Sequence, residues 1–141
     1  MKKVVTGLAS LLLLAIIAQF FLAAMGAFNS KPTDEAFAPH MALGYAILVL
    51  AVVTVIAAAA ARMPGRVTGY AGLTLLLVVV QILIAEVSKG IGDGSTVGQL
   101  IFGLHGINGL LVMGAAELVQ RRSRQIAWKP AEQPAVPEMV S

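Results

Sequence analysis

VTGLASLLLLAIIAQFFLA (Val5–Ala23) and VTGYAGLTLLLVVVQILIA (Val67–Ala85) align with each other without a gap. The identical pairs are Val5/Val67, Thr6/Thr68, Gly7/Gly69, Ala9/Ala71, Leu11/Leu73, Leu13/Leu75, Leu14/Leu76, Gln19/Gln81 and Ala23/Ala85. Leucine and alanine matches are cheap between apolar helices, but a VTG triplet with a glutamine in phase is not. Extending the alignment, with a few extra residues in the later loop, brings FAPHMALG (Phe37–Gly44) onto FGLHGING (Phe102–Gly109). Both read Phe-x-x-His-x-x-x-Gly, and they hold the only two histidines of the chain, His40 and His105. The sequence is therefore two copies of a two-helix unit, an internal repeat that constrains the fold before any motif is weighed.

Composition sets the solvent. The 141 residues are 58% hydrophobic and only 12% charged, with a mean hydropathy of +0.87, whereas soluble domains carry roughly 25% charged residues. Four stretches are long enough for the ~20 apolar residues of a membrane span: residues 4–28, about 37–61, 67–88 and 98–118. Short connections rich in turn formers and charges, NSKPTDEA, RMPGR and KGIGDGSTV, separate them. The expected fold is an all-α integral membrane protein. It is a four-transmembrane-helix, up-down-up-down bundle built from two parallel two-helix repeats. The N-terminal run MKKVVTGLASLLLLAIIAQFFLAAMGA has the look of a signal peptide. Its apolar stretch exceeds the 7–15 residues usual for one, so it reads as the first span.

One domain, residues 1–120, accounts for the bundle. Residues 121–141 read as a basic tail with an interfacial Trp128 and a Pro-rich end expected to be disordered. Lys2, Lys3, Arg62, Arg66, Arg121, Arg122, Arg124 and Lys129 fall on one side of a four-span layout, and only Lys31 and Lys89 on the other. The formal charge of +3 is thus a topology signal, giving no case for nucleic acid. The positive-inside rule predicts cytoplasmic termini and outward-facing SKPTDEA and KGIGDGS loops. With no cysteine, disulfides, thiolate metal sites and cysteine nucleophiles are excluded.

Repeats of like topology are related by a pseudo-two-fold axis along the membrane normal, which sets His40 and His105 facing each other across the bundle. Both fall in the outer leaflet, where ionisable residues within spans mark function. Gly44 and Gly109 lie one turn deeper on the same faces, leaving room for a flat, bulky group. Phe37 and Phe102 flank the histidines. Two imidazoles on opposite helices suit axial ligation of a haem iron, and without cysteine for covalent attachment the haem is b-type. Gln19 and Gln81 serve either as partners for the second ring nitrogens or as interhelical hydrogen-bonding glue. Lys31 and Lys89 are either propionate contacts or ordinary loop lysines. The histidines themselves have a plain alternative as interhelical hydrogen bonders. Copper or zinc is less favoured, because only Met25 and Met41 lie near enough to complete a site.

Glu86 reads as a proton or cation site, or as a partner of Lys89, and Glu117 as an i,i+4 partner of Arg121. The sequence contains no nucleotide loop, no nucleophile with a general base, and no convincing carboxylate pair.

The stretches HMALGYAILVL, LLLVVVQILIAEVSKG and LIFGLHGINGLLVMGAAELV resemble one half of the bacterial haem A synthases. The chain is also similar to small four-helix bacterial membrane proteins with the same histidine spacing. The resemblance covers about Val5 to Arg122. It implies histidines on the second and fourth helices flanking a haem, and a bacterial cytoplasmic (inner) membrane location. In the synthase's catalytic half a glutamate stands three residues before the first histidine. Here that position is Phe37, mirrored by Phe102, and the outer-loop cysteine pair is absent. The resemblance is therefore to the cofactor-holding half.

The expected function is a small membrane b-type cytochrome holding one haem b between His40 and His105 near the outer face. It would exchange single electrons with a quinol, or with a membrane or extracytoplasmic redox partner, and would not be an enzyme by itself. Haem storage or sensing is a variant of this reading. The alternative is a haem-free tetraspan accessory or scaffold subunit of a larger complex. A weaker third is a small transporter using Glu86.

Overall fold

The computed structural model describes residues 1–92 and 95–129, and the Pro-rich end of the chain lies outside them. Five helices follow in order: α1 (Lys2–Ala27), α2 (Thr33–Ala36), α3 (Ala38–Ala60), α4 (Gly65–Ile91) and α5 (Thr96–Ala127). All but the one-turn α2 are long and apolar enough to cross a membrane. The protein is an all-α four-helix membrane bundle. Helix α1 packs on α3 and α5, and α4 packs on the same two, while the diagonal pairs α1/α4 and α3/α5 make no close backbone contact. The two first helices of the repeats thus face each other across one diagonal, and the two second helices across the other.

Burial repeats with the sequence. On α1 the buried Val5, Ala9, Leu12, Ile16 and Gly26 have as repeat mates Val67, Ala71, Thr74, Val78 and Ser88, the buried residues of α4. On α3 the buried Ile47, Ala51, Thr54 and Ala58 match Val112, Ala116, Val119 and Ser123 of α5, all buried as well. Steps alternating between four and three residues are the 3.5-residue period of a seam that supercoils left-handedly. Continued upward, the α3 seam passes through Gly44, His40 and Phe37, and that of α5 through Gly109, His105 and Phe102. The Phe-x-x-His-x-x-x-Gly frame is therefore the seam's own spacing, with polar and ring-bearing residues where the lower half carries small apolar ones.

That lower half is tightly closed. Two clusters fill it: Val5, Ala9, Ala58, Val67, Ala71 and Val119 near the termini, and Leu12, Ile16, Ile47, Ala51, Val78, Val112 and Ala116 above them. Lipid tails are as apolar as leucine, so association rests on close van der Waals packing, and small seam residues let the backbones approach. The buried hydroxyls are satisfied locally: Thr54 Oγ1 donates to Leu50 O (2.7 Å) and Thr74 Oγ1 to Tyr70 O (2.9 Å). Leu11, Leu14, Ile17, Val49, Ile56, Leu76 and Leu111 point outward. Exposed to water these would be a liability; facing lipid they are the ordinary surface of a span.

Two connections shape the ends. Arg62, at φ 48°, ends α3 in a Schellman arrangement: Met63 N–H donates to Ala58 O and Arg62 N–H to Ala59 O, both at 3.0 Å. Met63 then packs into the lower cluster beside Ala58. At the other end α5 begins about two turns before the repeat equivalent of α3's start. The matching residues of the first repeat form the loop and α2 instead, because Pro39 lacks the N–H that a continuous helix needs and its ring crowds the preceding turn. Ser95 caps α5, its Oγ accepting from Gly98 N–H at 3.0 Å. Helix α5 also outruns the fourth span expected over residues 98–118, continuing to Ala127. Arg121, Arg122 and Arg124 are helical, in keeping with the good helix propensity of Arg, Gln and Ala. Trp128 follows immediately, with Lys3 Nζ 5.8 Å from its ring, a cation–π contact.

Candidate functional site

Above the closed half, the helices part around a cavity of about 1000 Å³, lined by His40 and His105 among mainly apolar neighbours. The two imidazoles lie across the diagonal, ring centroids 6.2 Å apart and planes inclined by 52°. They meet although His40 stands in the first turn of α3 and His105 in the third turn of α5. The longer start of α5 makes up the difference.

Each ring is held in the same way. His40 Nδ1 lies 3.1 Å from the main-chain oxygen of Gln19, and His105 Nδ1 lies 3.2 Å from that of Gln81. A carbonyl only accepts, so Nδ1 must carry the proton in both rings. In the neutral imidazole this leaves Nε2 with its lone pair, which is the form that binds a metal. The glutamines anticipated as partners of the ring nitrogens thus act through their backbone. The side chain of Gln81 acts as glue as well: its Nε2 donates to His105 O at 2.8 Å, bridging α4 and α5.

The phenylalanines of the repeat flank the rings differently. Phe102 stacks on His105, centroids 5.1 Å apart and planes within 8°. Phe37 meets His40 edge-on at 6.1 Å and 90°, its own ring lying against Gly26, where an added Cβ would come within 2.9 Å of it. Gly44 and Gly109 both line the cavity, and each also receives a glutamine amide. A Cβ at Gly44 would sit 3.1 Å from Gln19 Nε2, and one at Gly109 would sit 3.5 Å from Gln81 Nε2. Part of the room expected there for a flat group is thus occupied by side chains of the neighbouring helix.

The lysines separate. Lys89 and Glu86 line the cavity mouth and pair with each other at 3.5 Å. Lys31 is not brought to the cavity; exposed in its loop, it pairs with Glu35 at 3.8 Å. Glu117 pairs with Arg121 at 2.6 Å far from the histidines, as its spacing suggests.

Asn108 is a further polar residue of the site, one not expected from the sequence pattern. Buried, it donates from Nδ2 to Gln81 Oε1 at 2.6 Å and to Leu77 O at 2.9 Å. An asparagine in an apolar span, three residues after a histidine, was the available signal. Its repeat mate is Leu43, and the consequence is visible on the other side: Gln19 Oε1 is buried without a hydrogen-bond partner.

Among the described residues, no three or more His, Cys, Asp or Glu side chains come together as a metal site. Two imidazoles alone do not complete the four or more ligands of a protein-bound metal ion. They do suit a metal that arrives with four equatorial ligands of its own. Two imidazoles bonded to one metal from opposite sides, each at ~2.0–2.1 Å, have ring centroids about 6 Å apart. The observed separation of 6.2 Å matches that spacing.

Residues 19–88 match the model of a family of unknown function (DUF6220). The matched segment begins at Gln19 and includes His40, Gly44 and Gln81, but ends before α5 and His105. No curated protein and no solved structure matches the chain.

Proposed function

We propose that this protein is a small membrane b-type cytochrome, with one haem b held between His40 and His105. The observation that carries the reading is the pair of equivalent hydrogen bonds from the two Nδ1 atoms to the Gln19 and Gln81 carbonyls. They fix both rings in the ligating tautomer, at a separation that suits one metal between them. The haem supplies a one-electron couple. The chain's own residues hold the axial nitrogens, brace them through backbone carbonyls, and surround the site with an apolar wall. Phe37 and Phe102 occupy the place where the resemblance to haem A synthase would call for a catalytic glutamate, so the role is electron transfer and not oxidation of the macrocycle. Glu86 and Lys89 at the mouth form the polar rim through which propionates or a redox partner would be met.

The positive-inside rule, applied to the eight basic residues at the end bearing Arg62 and Arg121, supports cytoplasmic termini. The histidine end then faces outward, in a bacterial inner membrane, within reach of a quinol in the bilayer or an extracytoplasmic redox protein. The test is the haem content of the full chain purified in mild detergent from haem-sufficient cells. One haem per chain is expected, with loss or a changed ligation state in His40→Ala and in His105→Ala. Folded protein that carries no haem would leave the tetraspan scaffold as the function.

A further inference from the structure

The two histidines are equivalent in the repeat but unequal in how firmly they are held. His105 sits in the body of α5, stacked on Phe102. It is joined to Gln81 through both its ring and its own carbonyl. Asn108 locks the Gln81 amide in turn. His40 has the ring-to-carbonyl bond alone. It stands in the first turn of α3, just after the break at Pro39, where an N-terminal turn lacks intrahelical partners for its N–H groups and no side chain caps it. Phe37 touches it only edge-on. The amide that should brace it, Gln19, is left with a buried acceptor unsatisfied because Leu43 stands where the second repeat has Asn108.

We infer that His40 is the exchangeable ligand and His105 the permanent one, so that the site opens on the His40 side to a small uncharged diatomic ligand. This rests on the haem reading above. The exchange is a ligand substitution: the bond between iron and His40 Nε2 breaks, a bond from iron to the incoming ligand forms, and no electron or proton is transferred. Six-coordination at rest and ligand binding on demand are then properties of one site. The missing asparagine, the helix break at Pro39 and the edge-on Phe37 together separate its two halves.

The probe is carbon monoxide, added to the dithionite-reduced full chain in detergent after its haem content has been measured. Reduced wild-type protein is expected to bind it, with a shifted Soret band. His40→Ala is expected to keep its haem and to bind carbon monoxide roughly tenfold or more tighter, because no internal ligand competes. His105→Ala is expected to lose the haem. Leu43→Asn supplies the missing donor to Gln19 and is expected to weaken carbon monoxide binding about five- to tenfold, the equivalent of one net hydrogen bond. The alanine pair decides the matter even if Leu43→Asn does not fold. Haem-bearing protein that ignores carbon monoxide overturns this inference alone. So does the reverse pattern, with haem kept in His105→Ala and lost in His40→Ala. Protein without haem overturns both this inference and the reading beneath it.

Discussion

His105 and Gln81 hold each other twice. The histidine's Nδ1–H donates to the glutamine's main-chain oxygen at 3.2 Å, and the glutamine's amide donates back to the histidine's carbonyl at 2.8 Å. The first repeat makes only the first of these bonds, between His40 and Gln19. In the second repeat Asn108 also donates to the Gln81 amide oxygen, whereas Leu43 stands at the matching place in the first.

Substituting the two glutamines should therefore give unequal results. Gln81→Leu removes the donor to His105 O and the acceptor for Asn108, leaving a buried amide short of partners. A cost of about 1–2 kcal/mol is expected. Gln19→Leu removes an amide oxygen that has no partner, and replacing an unsatisfied polar group by an apolar one of similar shape is neutral to stabilising. Thermal unfolding of both variants in the same detergent checks this, and equal destabilisation would contradict the network described here.

The closed half should resist enlargement. Ala116, at 0% exposure, lies on the α5 seam. Ala116→Leu pushes helices apart and should cost about 1–3 kcal/mol. Leu111, on the lipid-facing side of the same helix, should tolerate alanine within ~0.5 kcal/mol. Paired melting curves compare them, and similar losses at both positions would argue against the seam.

Arg62 occupies the left-handed region that favours glycine. Arg62→Gly should relieve about 1 kcal/mol of backbone strain, and Arg62→Val, β-branched, should cost at least as much. A higher midpoint for the glycine variant than for wild type is the expected observation. The opposite order would mean that the α3–α4 turn is not of this kind.

Much of this was legible in the sequence, for reasons that differ by feature. The spans stand out because a bilayer demands long apolar runs, and the repeat because Gln19/Gln81 and His40/His105 fall in phase. A repeat with parallel topology sets its second helices on a diagonal, which is why the facing histidines were predictable. The local brace was not. The partner of each ring nitrogen is a backbone carbonyl, and every residue has one, so no residue type announces it. The role of Asn108 is not legible from its own span, because it depends on Gln81 of the neighbouring helix. The separation of α2 from α3 follows from Pro39, yet its effect on His40 is visible only beside the unbroken α5. Lys31 could be placed in its loop but not on Glu35, since the choice between a cavity and a neighbouring carboxylate is made by side-chain reach.

The central claim is tested most directly by the absorption spectrum of the purified full chain, oxidised and then reduced. Bis-histidine ligation predicts a sharp Soret band with resolved α and β bands on reduction, lost or converted to a high-spin spectrum when either His40 or His105 is replaced by alanine. A folded, monodisperse protein from haem-sufficient cells that shows no such bands would contradict it. So would bands that persist unchanged in both alanine variants.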